Sequence, residues 1–218
     1  MQNNYDPIAR YYDVLSRLVY FRAQLKAQTS QLPLIPANSK ILIAGGGTGW
    51  ILEEISKLQP SGLDITYVEI SAKMLELSKK RNVRDNTITY VHAAAEDLNP
   101  AILPKTPNLN APYDVIITAF LFDNFSKDKI SFVFNKFHNA LRSDGLWLFS
   151  DFYYTEATGK RWQKYLLKAM YFFFRQISNI ETSMLINTEH HFEERFYCPL
   201  QVKKYYGGFI KSIVYQKS

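Results

Sequence analysis

Apolar positions recur along this chain in two alternating periods. Ile8, Tyr11, Tyr12, Leu15, Leu18, Val19 and Leu25 fall at helical spacing, and Pro33 and Pro36 close that segment. Ile41 to Ala44 is a short unbroken apolar run, the pattern of a strand buried on both faces. Ile51, Leu52, Ile55 and Leu58 then mark one face of a helix, which Pro60-Ser61-Gly62 ends. A strand is predicted from Leu63 to Ile70. Ser71 can cap the helix carrying Met74, Leu75 and Leu77, and Thr87 to Val91 is rich in β-branched residues.

Asn99 to Pro112 holds prolines at 100, 104, 107 and 112, and is expected to be a surface loop. Tyr113 to Phe120 is the fourth strand. Ile130, Val133, Phe134, Phe137 and Leu141 give an amphipathic helix with Ser126 as its cap. Asp144-Gly145 is expected to end it, and Leu146 to Ser150 is the fifth strand. Residues 159 to 177 are helical in pattern, with a shorter helix near 187 to 197. Gly207-Gly208 separates Gln201–Tyr206 from Phe209–Tyr215 as a hairpin. Strands alternating with helices predict an α/β fold, with a mostly parallel sheet covered on both faces and a C-terminal antiparallel hairpin at its edge. Ligands of such sheets bind beyond the carboxyl ends of the strands, where the strand order reverses.

Composition adds bounds. A chain of 218 residues suits one large domain, and 47% apolar with 21% charged residues is ordinary for a globular protein. The single cysteine, Cys198, excludes an internal disulfide and fits a reducing compartment. Met1 to Ile8 is polar and no window of about 18 apolar residues exists, so a cytoplasmic location is expected. The net charge of +6 is concentrated at Lys160, Arg161, Lys164, Lys168 and Arg175, leaving the remainder near neutral. A diffuse nucleic-acid surface is therefore not indicated.

The chemistry centres on Ala44-Gly45-Gly46-Gly47-Thr48-Gly49-Trp50, at a strand-to-helix junction. Glycines there let the backbone turn sharply and let a ligand approach without a Cβ in the way, while the helix start offers free N–H groups. A dinucleotide fingerprint requires a third glycine inside the helix, and counting from Gly45 that position is Trp50. The phosphate-loop pattern fails as well, since no Gly-Lys-Ser/Thr follows. The loop is better suited to a nucleoside without a pyrophosphate. Glu69, at the end of the second strand and 20 residues past Gly49, can accept both hydroxyls of a ribose.

These segments resemble the ordered motifs of class I S-adenosylmethionine-dependent methyltransferases. Ile41 to Gly49 and Tyr67 to Leu75 are similar to the first two motifs, and His92-Ala93-Ala94-Ala95-Glu96-Asp97-Leu98 to the third. Tyr113 to Phe120 resembles the fourth strand, and Ser143 to Leu148 the turn into the fifth. The opening Tyr5 to Ser16 is similar to the start of ubiquinone/menaquinone-type C-methyltransferases. The resemblance implies a Rossmann-like, doubly wound single domain over 1–218. It would comprise an N-terminal helical cap (1–36), a cofactor-binding core (37–157), and a helix-rich substrate side with the terminal hairpin (158–218).

The resemblance also implies S-adenosylmethionine as cofactor and a small acceptor molecule. Gly45, Gly46, Gly47, Thr48 and Gly49 would surround the methionine part, and Glu69 would hold the ribose. Ile70 and Met74 would pack on adenine, Ala95 and Glu96 would lie at its edge, and Ala119 and Phe120 would stand near the sulfonium. Ile43 and Ala94 stand where the family usually carries acids, which removes one anchor for the cofactor's amino group. Three readings follow: a methyltransferase for a small lipophilic or aromatic acceptor, a protein that kept the fold without catalysis, and a nicotinamide-dependent oxidoreductase, against which Trp50 counts.

Methyl transfer needs chiefly alignment of donor and acceptor, and a base only where the acceptor loses a proton. His138, His190 and His191 are expected on helix surfaces or in packing, and no catalytic residue is assigned. Histidine and cysteine spacing gives no metal site. Residues 160–175 combine positive charge with Trp162, Tyr165 and Tyr171-Phe172-Phe173-Phe174, a composition that suits an acceptor cavity or transient contact with an anionic membrane surface.

Overall fold

The computed structural model describes residues 22–98, 113–156, 159–178 and 185–218, with side chains described for all of these except 172–178. Most of the predicted N-terminal helix, the proline-bearing loop and the rings of Phe172 to Phe174 lie outside the described residues. Seven strands form one sheet: β1 (Lys40–Ala44), β2 (Ser61–Glu69), β3 (Asp85–His92), β4 (Tyr113–Ala119), β5 (Leu141–Phe152), β6 (Cys198–Tyr205) and β7 (Ile210–Gln216). Their order is β3-β2-β1-β4-β5-β7-β6. Neighbours from β3 to β5 pair in parallel, whereas β7 pairs antiparallel with both β5 and β6. This is the doubly wound α/β fold expected from the alternating pattern, closed by the C-terminal hairpin.

The helices are α1 (Ala23–Thr29), α2 (Trp50–Leu58), α3 (Ala72–Ser78), α4 (Lys127–Ala140), α5 (Arg161–Ser178) and α6 (Glu189–Glu194). The central strands are apolar throughout because both sheet faces are covered; Ile41, Leu42, Val115 and Ile116 are fully buried. One face packs Leu42, Ile116, Trp147 and Phe149 under α4 and α6. The other packs Ile41, Val115 and Leu148 against Ile51, Leu52 and Ile55 of α2. Ser71 caps α3 as expected, its hydroxyl accepting from the Met74 amide at 3.2 Å. Ser126 occupies the cap position of α4, but its side chain makes no capping hydrogen bond.

Several boundaries differ from the sequence pattern; β2 and β3 each start two residues early, at Ser61 and Asp85. Helix α4 stops at Ala140 rather than at Asp144-Gly145, and β5 starts at Leu141. Tertiary pairing extends the strand there: the Asp144 amide donates to the Lys217 carbonyl at 3.0 Å, and the Lys217 amide to Gly145 at 2.9 Å. The hairpin strands also shift, because Tyr206 to Gly208 form a 3-10 turn in which Gly207 and Gly208 take positive φ. Near the start of the described chain, Gln31 is buried and donates to the carbonyls of Phe149 and Ile213 at 2.7 and 3.0 Å. That side chain ties α1 to the β5–β7 pair.

Candidate functional site

The strand order reverses between β1 and β4, so a crevice opens beyond their carboxyl ends. Gly45 to Gly49 leave β1 on one side, and the turn Phe120 to Asn124 leaves β4 on the other. The two come close together: a Cβ added at Gly45 would lie 3.0 Å from Leu121 Cδ1.

The glycines serve different ends. Gly46 has no room for a side chain, because a Cβ would meet the Tyr67 ring at 2.2 Å. Gly49, at φ +79°, caps α2 and would place a Cβ 2.5 Å from Ser78. Gly47, at φ +64°, faces open space. The loop is therefore packed from beneath at Gly46 and Gly49 and clear at Gly47, the position where a ligand can approach the main chain.

Glu69 ends β2 beside this loop. The carboxylate accepts from the Gly47 amide through Oε2 and from the Ser71 amide through Oε1, each at 2.8 Å. It is 4% exposed, and burial raises its pKa above the ordinary value, an effect opposed by the amides of Ser71, Gly47 and Ile70. A carboxylate has about four lone-pair positions, so acceptor capacity remains beyond these backbone contacts.

The sequence pattern missed two supports of the loop. Tyr67, two residues before Glu69 and fully buried, donates its hydroxyl to the Gly47 carbonyl at 2.9 Å. Arg81 donates to the Thr48 carbonyl at 2.9 Å and to the Thr48 hydroxyl at 3.3 Å. Strand parity places Tyr67 and Glu69 on one face of β2, which is the signal that could have found Tyr67. Nothing in the local pattern marks Arg81, whose reach across to the loop is a tertiary fact.

The remaining expected positions follow β2 and β3 or end β4. Ile70 is half-buried, and its carbonyl lies 2.9 Å from His92 Nε2. Met74 is 3% exposed at the first turn of α3. Ala95 is buried at the start of a 3-10 turn after β3, and the Glu96 carboxylate lies 3.4 Å from Lys129. Ala119 is half-buried at the end of β4. Phe120 takes a left-handed φ of 53°, donates its amide to Ser150 at 2.8 Å, and sets its ring 4.9 Å from that of Phe152. Thr48 differs from its neighbours, since its side chain is buried and its hydroxyl meets Arg81. Ile43 and Ala94 are both buried, Ile43 within the core that α2 covers.

The histidines take packing positions. His138 Nδ1 lies 3.1 Å from the Tyr197 hydroxyl, and His191 stacks on Phe134 with centroids 5.2 Å apart. Burial, followed by nearby positive charge, lowers the pKa of His138; for His191 burial is again the leading cause. Among the described residues no group of three or more His, Cys, Asp or Glu could hold a metal ion. No described helix is long and apolar enough to cross a membrane.

Residues 42–147 match a family described as a methyltransferase domain. The ubiquinone/menaquinone biosynthesis C-methyltransferase of Geotalea daltonii is 28% identical over 123 residues, covering 55% of this chain and 50% of that protein. The malonyl-[acyl-carrier protein] O-methyltransferase of Bacillus anthracis is 35% identical over 118 residues, covering 53% and 39% respectively. The chain thus spans half or less of the length of these two relatives. In fold it is similar to the 1,6-didemethyltoxoflavin-N1-methyltransferase of Burkholderia thailandensis, solved with its substrate and S-adenosylhomocysteine, with a TM-score of 0.58 at 14% identity over 98% of this chain and 86% of that one. Residues 42–147 thus match a methyltransferase domain, and the seven-stranded, mostly parallel sheet agrees with the fold of that solved methyltransferase.

Proposed function

We propose that this protein transfers a methyl group from S-adenosylmethionine to a small aromatic or lipophilic acceptor. The observation carrying the proposal is the Glu69 carboxylate joined at 2.8 Å to the amide of Gly47, the glycine over which space is open. A buried carboxylate with acceptor capacity to spare is suited to a ribose hydroxyl. In this reading Gly45, Gly46, Gly47, Thr48 and Gly49 shape the methionine side, Thr48 through its main chain. Ile70 and Met74 supply an apolar surface for adenine, Ala95 and Glu96 its edge, and Ala119 and Phe120 the approach to the reacting centre.

S-adenosylmethionine supplies an electrophilic methyl group, and the protein's task is to hold donor and acceptor in line and keep water away. The relative named for ubiquinone/menaquinone biosynthesis and the toxoflavin enzyme support the reading of a small-molecule acceptor. The basic and aromatic side chains Arg161, Trp162, Lys164, Tyr165 and Lys168, all exposed on α5, fit transient contact with anionic lipid. Sedimentation with anionic and neutral vesicles checks that contact, and equal negligible binding to both rejects it.

Calorimetric titration of the full chain with S-adenosylmethionine, S-adenosylhomocysteine and NAD tests the cofactor. Binding of the first two without the third is expected. Binding of NAD alone would overturn the proposal in favour of an oxidoreductase. Binding without turnover across a broad acceptor panel would leave a non-catalytic binding protein.

A further inference from the structure

Packing holds every glycine of the loop after β1 except one. A Cβ would lie 3.0 Å from Leu121 at Gly45, 2.2 Å from the Tyr67 ring at Gly46 and 2.5 Å from Ser78 at Gly49, whereas nothing stands within 4 Å at Gly47. Gly47 also takes a left-handed φ of +64°. A glycine with open space around it has more conformational freedom to lose than any other residue, so its order needs a specific cause. That cause is a pair of hydrogen bonds to its main chain. The Gly47 amide donates to Glu69 Oε2 at 2.8 Å, and the Gly47 carbonyl accepts from the Tyr67 hydroxyl at 2.9 Å. The first restrains rotation on the φ side of the residue, and the second on the ψ side.

Both holds come from one face of one strand. Tyr67 and Glu69 alternate on β2, so their side chains leave the strand in the same direction. Tyr67 can fix a mobile residue because it is itself fixed. Its side chain is fully buried, edge-on to Tyr90 at 5.7 Å, and packed beneath Gly46. The core therefore sets the position of the hydroxyl. Burial, followed by the charge of Glu69, raises its pKa well above the ordinary value, so the group stays a donor. Beyond Gly47 the bend is held again, by Arg81 donating to the Thr48 carbonyl at 2.9 Å.

We propose that Tyr67 is a positioning residue for the cofactor: acting through Gly47, it holds the bend after β1 in the conformation that Glu69 also grips, so that the two side chains serve binding as one coupled unit. The inference rests on the S-adenosylmethionine reading above. Tyr67 acts at one remove, since its ring lies beneath the loop and its hydroxyl is committed to the Gly47 carbonyl. A loop ordered before the ligand arrives loses less entropy on binding, which raises affinity. Without the Tyr67 hydroxyl, Gly47 turns more freely about ψ, and its amide meets Glu69 for only part of the time.

That loss has a sign in pH. An amide donating to a carboxylate favours the charged form. Weakening the Gly47 contact therefore moves the Glu69 carboxyl upward, and protonation begins at a higher pH. The other groups facing Glu69 are His92 at the end of β3 and the amides of Ser71 and Ile70 ahead of α3. Around the Tyr67 hydroxyl stand Ser78 of α3, Tyr90 of β3 and Arg81 after α3, with Glu53 of α2 lying 3.6 Å from Arg81. Replacing Tyr67 with Phe leaves all of these in place and keeps the ring under Gly46.

The test uses the full chain as wild type, Tyr67→Phe, Glu69→Ala and the double variant. Each is titrated with S-adenosylhomocysteine by calorimetry at neutral pH and through the acid range, and denaturant melts confirm folding. Nitrogen-15 relaxation reports the order of the Gly47 amide. We expect Tyr67→Phe to weaken binding roughly 3–10-fold, the size of one net hydrogen bond. In the Glu69→Ala background the same change should weaken it by less than about 2-fold, because the coupled partner is already gone. The acid loss of affinity should begin at higher pH in Tyr67→Phe than in wild type. The Gly47 order parameter should fall from about 0.85 to below about 0.6. A tyrosine that served only the stability of the core would shift the melt and leave the pH profile and the Gly47 amide unmoved.

Should Tyr67→Phe not fold, 3-fluorotyrosine placed at position 67 keeps the ring and makes the hydroxyl a stronger donor. A downfield move of the Gly47 carbonyl carbon-13 resonance with tighter S-adenosylhomocysteine binding is then expected, and unchanged affinity overturns the proposal. If S-adenosylhomocysteine does not bind wild type, the cofactor reading itself fails. If it binds but Tyr67→Phe keeps affinity within about 2-fold, or the two single effects simply multiply in the double variant, or the acid loss stays at the wild-type pH, the positioning role alone is overturned.

Discussion

The Oε2 atom of Glu69 accepts a hydrogen bond from the amide of Gly47 at 2.8 Å, so the end of β2 and the loop after β1 form one ligand-facing unit. Replacing Glu69 with Ala removes the carboxylate from that unit. It should weaken S-adenosylhomocysteine binding by about 1.5–3 kcal/mol, the range for hydrogen bonds to a charged group, as measured by calorimetry. Burial raises this carboxyl above its ordinary 4.5, so protonation begins at a higher pH than for an exposed glutamate. The protonated form loses acceptor capacity. Wild-type affinity should therefore fall with acidification before pH 4.5 is reached, and Glu69→Ala should show no such loss.

Gly46 and Gly47 should respond differently to alanine. At Gly46 the new methyl would lie 2.2 Å from the Tyr67 ring, so the loop or ring must move. A stability loss of about 1–3 kcal/mol is expected, the usual range for overpacking. At Gly47 nothing lies within 4 Å, and only the positive φ of 64° is strained. Gly47→Ala should cost about 1–2 kcal/mol from that conformation and weaken cofactor binding in addition. Denaturant melts paired with calorimetry separate the two.

Gln31 holds α1 onto the sheet through the carbonyls of Phe149 and Ile213. Gln31→Leu leaves those contacts unmade in a buried place and should destabilise the chain by about 1–3 kcal/mol. Hydrogen exchange should show α1 opening while β1 to β4 stay protected.

Phe192 anchors α6. It is fully buried, stacked on Tyr215 at 4.0 Å, and edge-on to Phe134 and Trp147 at 4.8 and 4.9 Å. Phe192→Ala should cost about 3–5 kcal/mol, read from chemical denaturation.

Asp123 gives a pH signature of its own. Burial raises its carboxyl from 3.8 to about 7, so the folded chain binds this proton more tightly than the unfolded chain. Folding stability contributed by this group is greatest below 3.8 and is lost as pH rises through 7. Asp123→Asn removes that penalty. Its Tm should exceed that of wild type at about pH 8, with the gain shrinking toward about pH 5. A gain that did not change with pH would contradict the buried acid.

Most of the fold was legible in the sequence because the central strands carry their own signal. Ile41 to Ala44 and Val115 to Ile117 are apolar on both faces, a pattern that only a doubly covered parallel strand requires. The glycine run and Glu69 were legible for a related reason: a strand-to-helix bend needs residues without side chains at fixed places, and such positions recur in local order. The start of β5 was not legible. Leu141 to Gly145 read as the end of a helix, and they become strand through pairing with the chain's last residues.

The sequence by itself determined the alternation of strands and helices, the bend after β1 and the acid at the end of β2, because each is written in residues close along the chain. Only the tertiary structure decided that Tyr67 lies under Gly46, that Arg81 meets Thr48, and that the turn after β4 meets the Asp151 carboxylate through the Phe122 and Asp123 amides. Those contacts join segments far apart in sequence, and their existence depends on which strands lie side by side. Short-range periodicity carries no information about that.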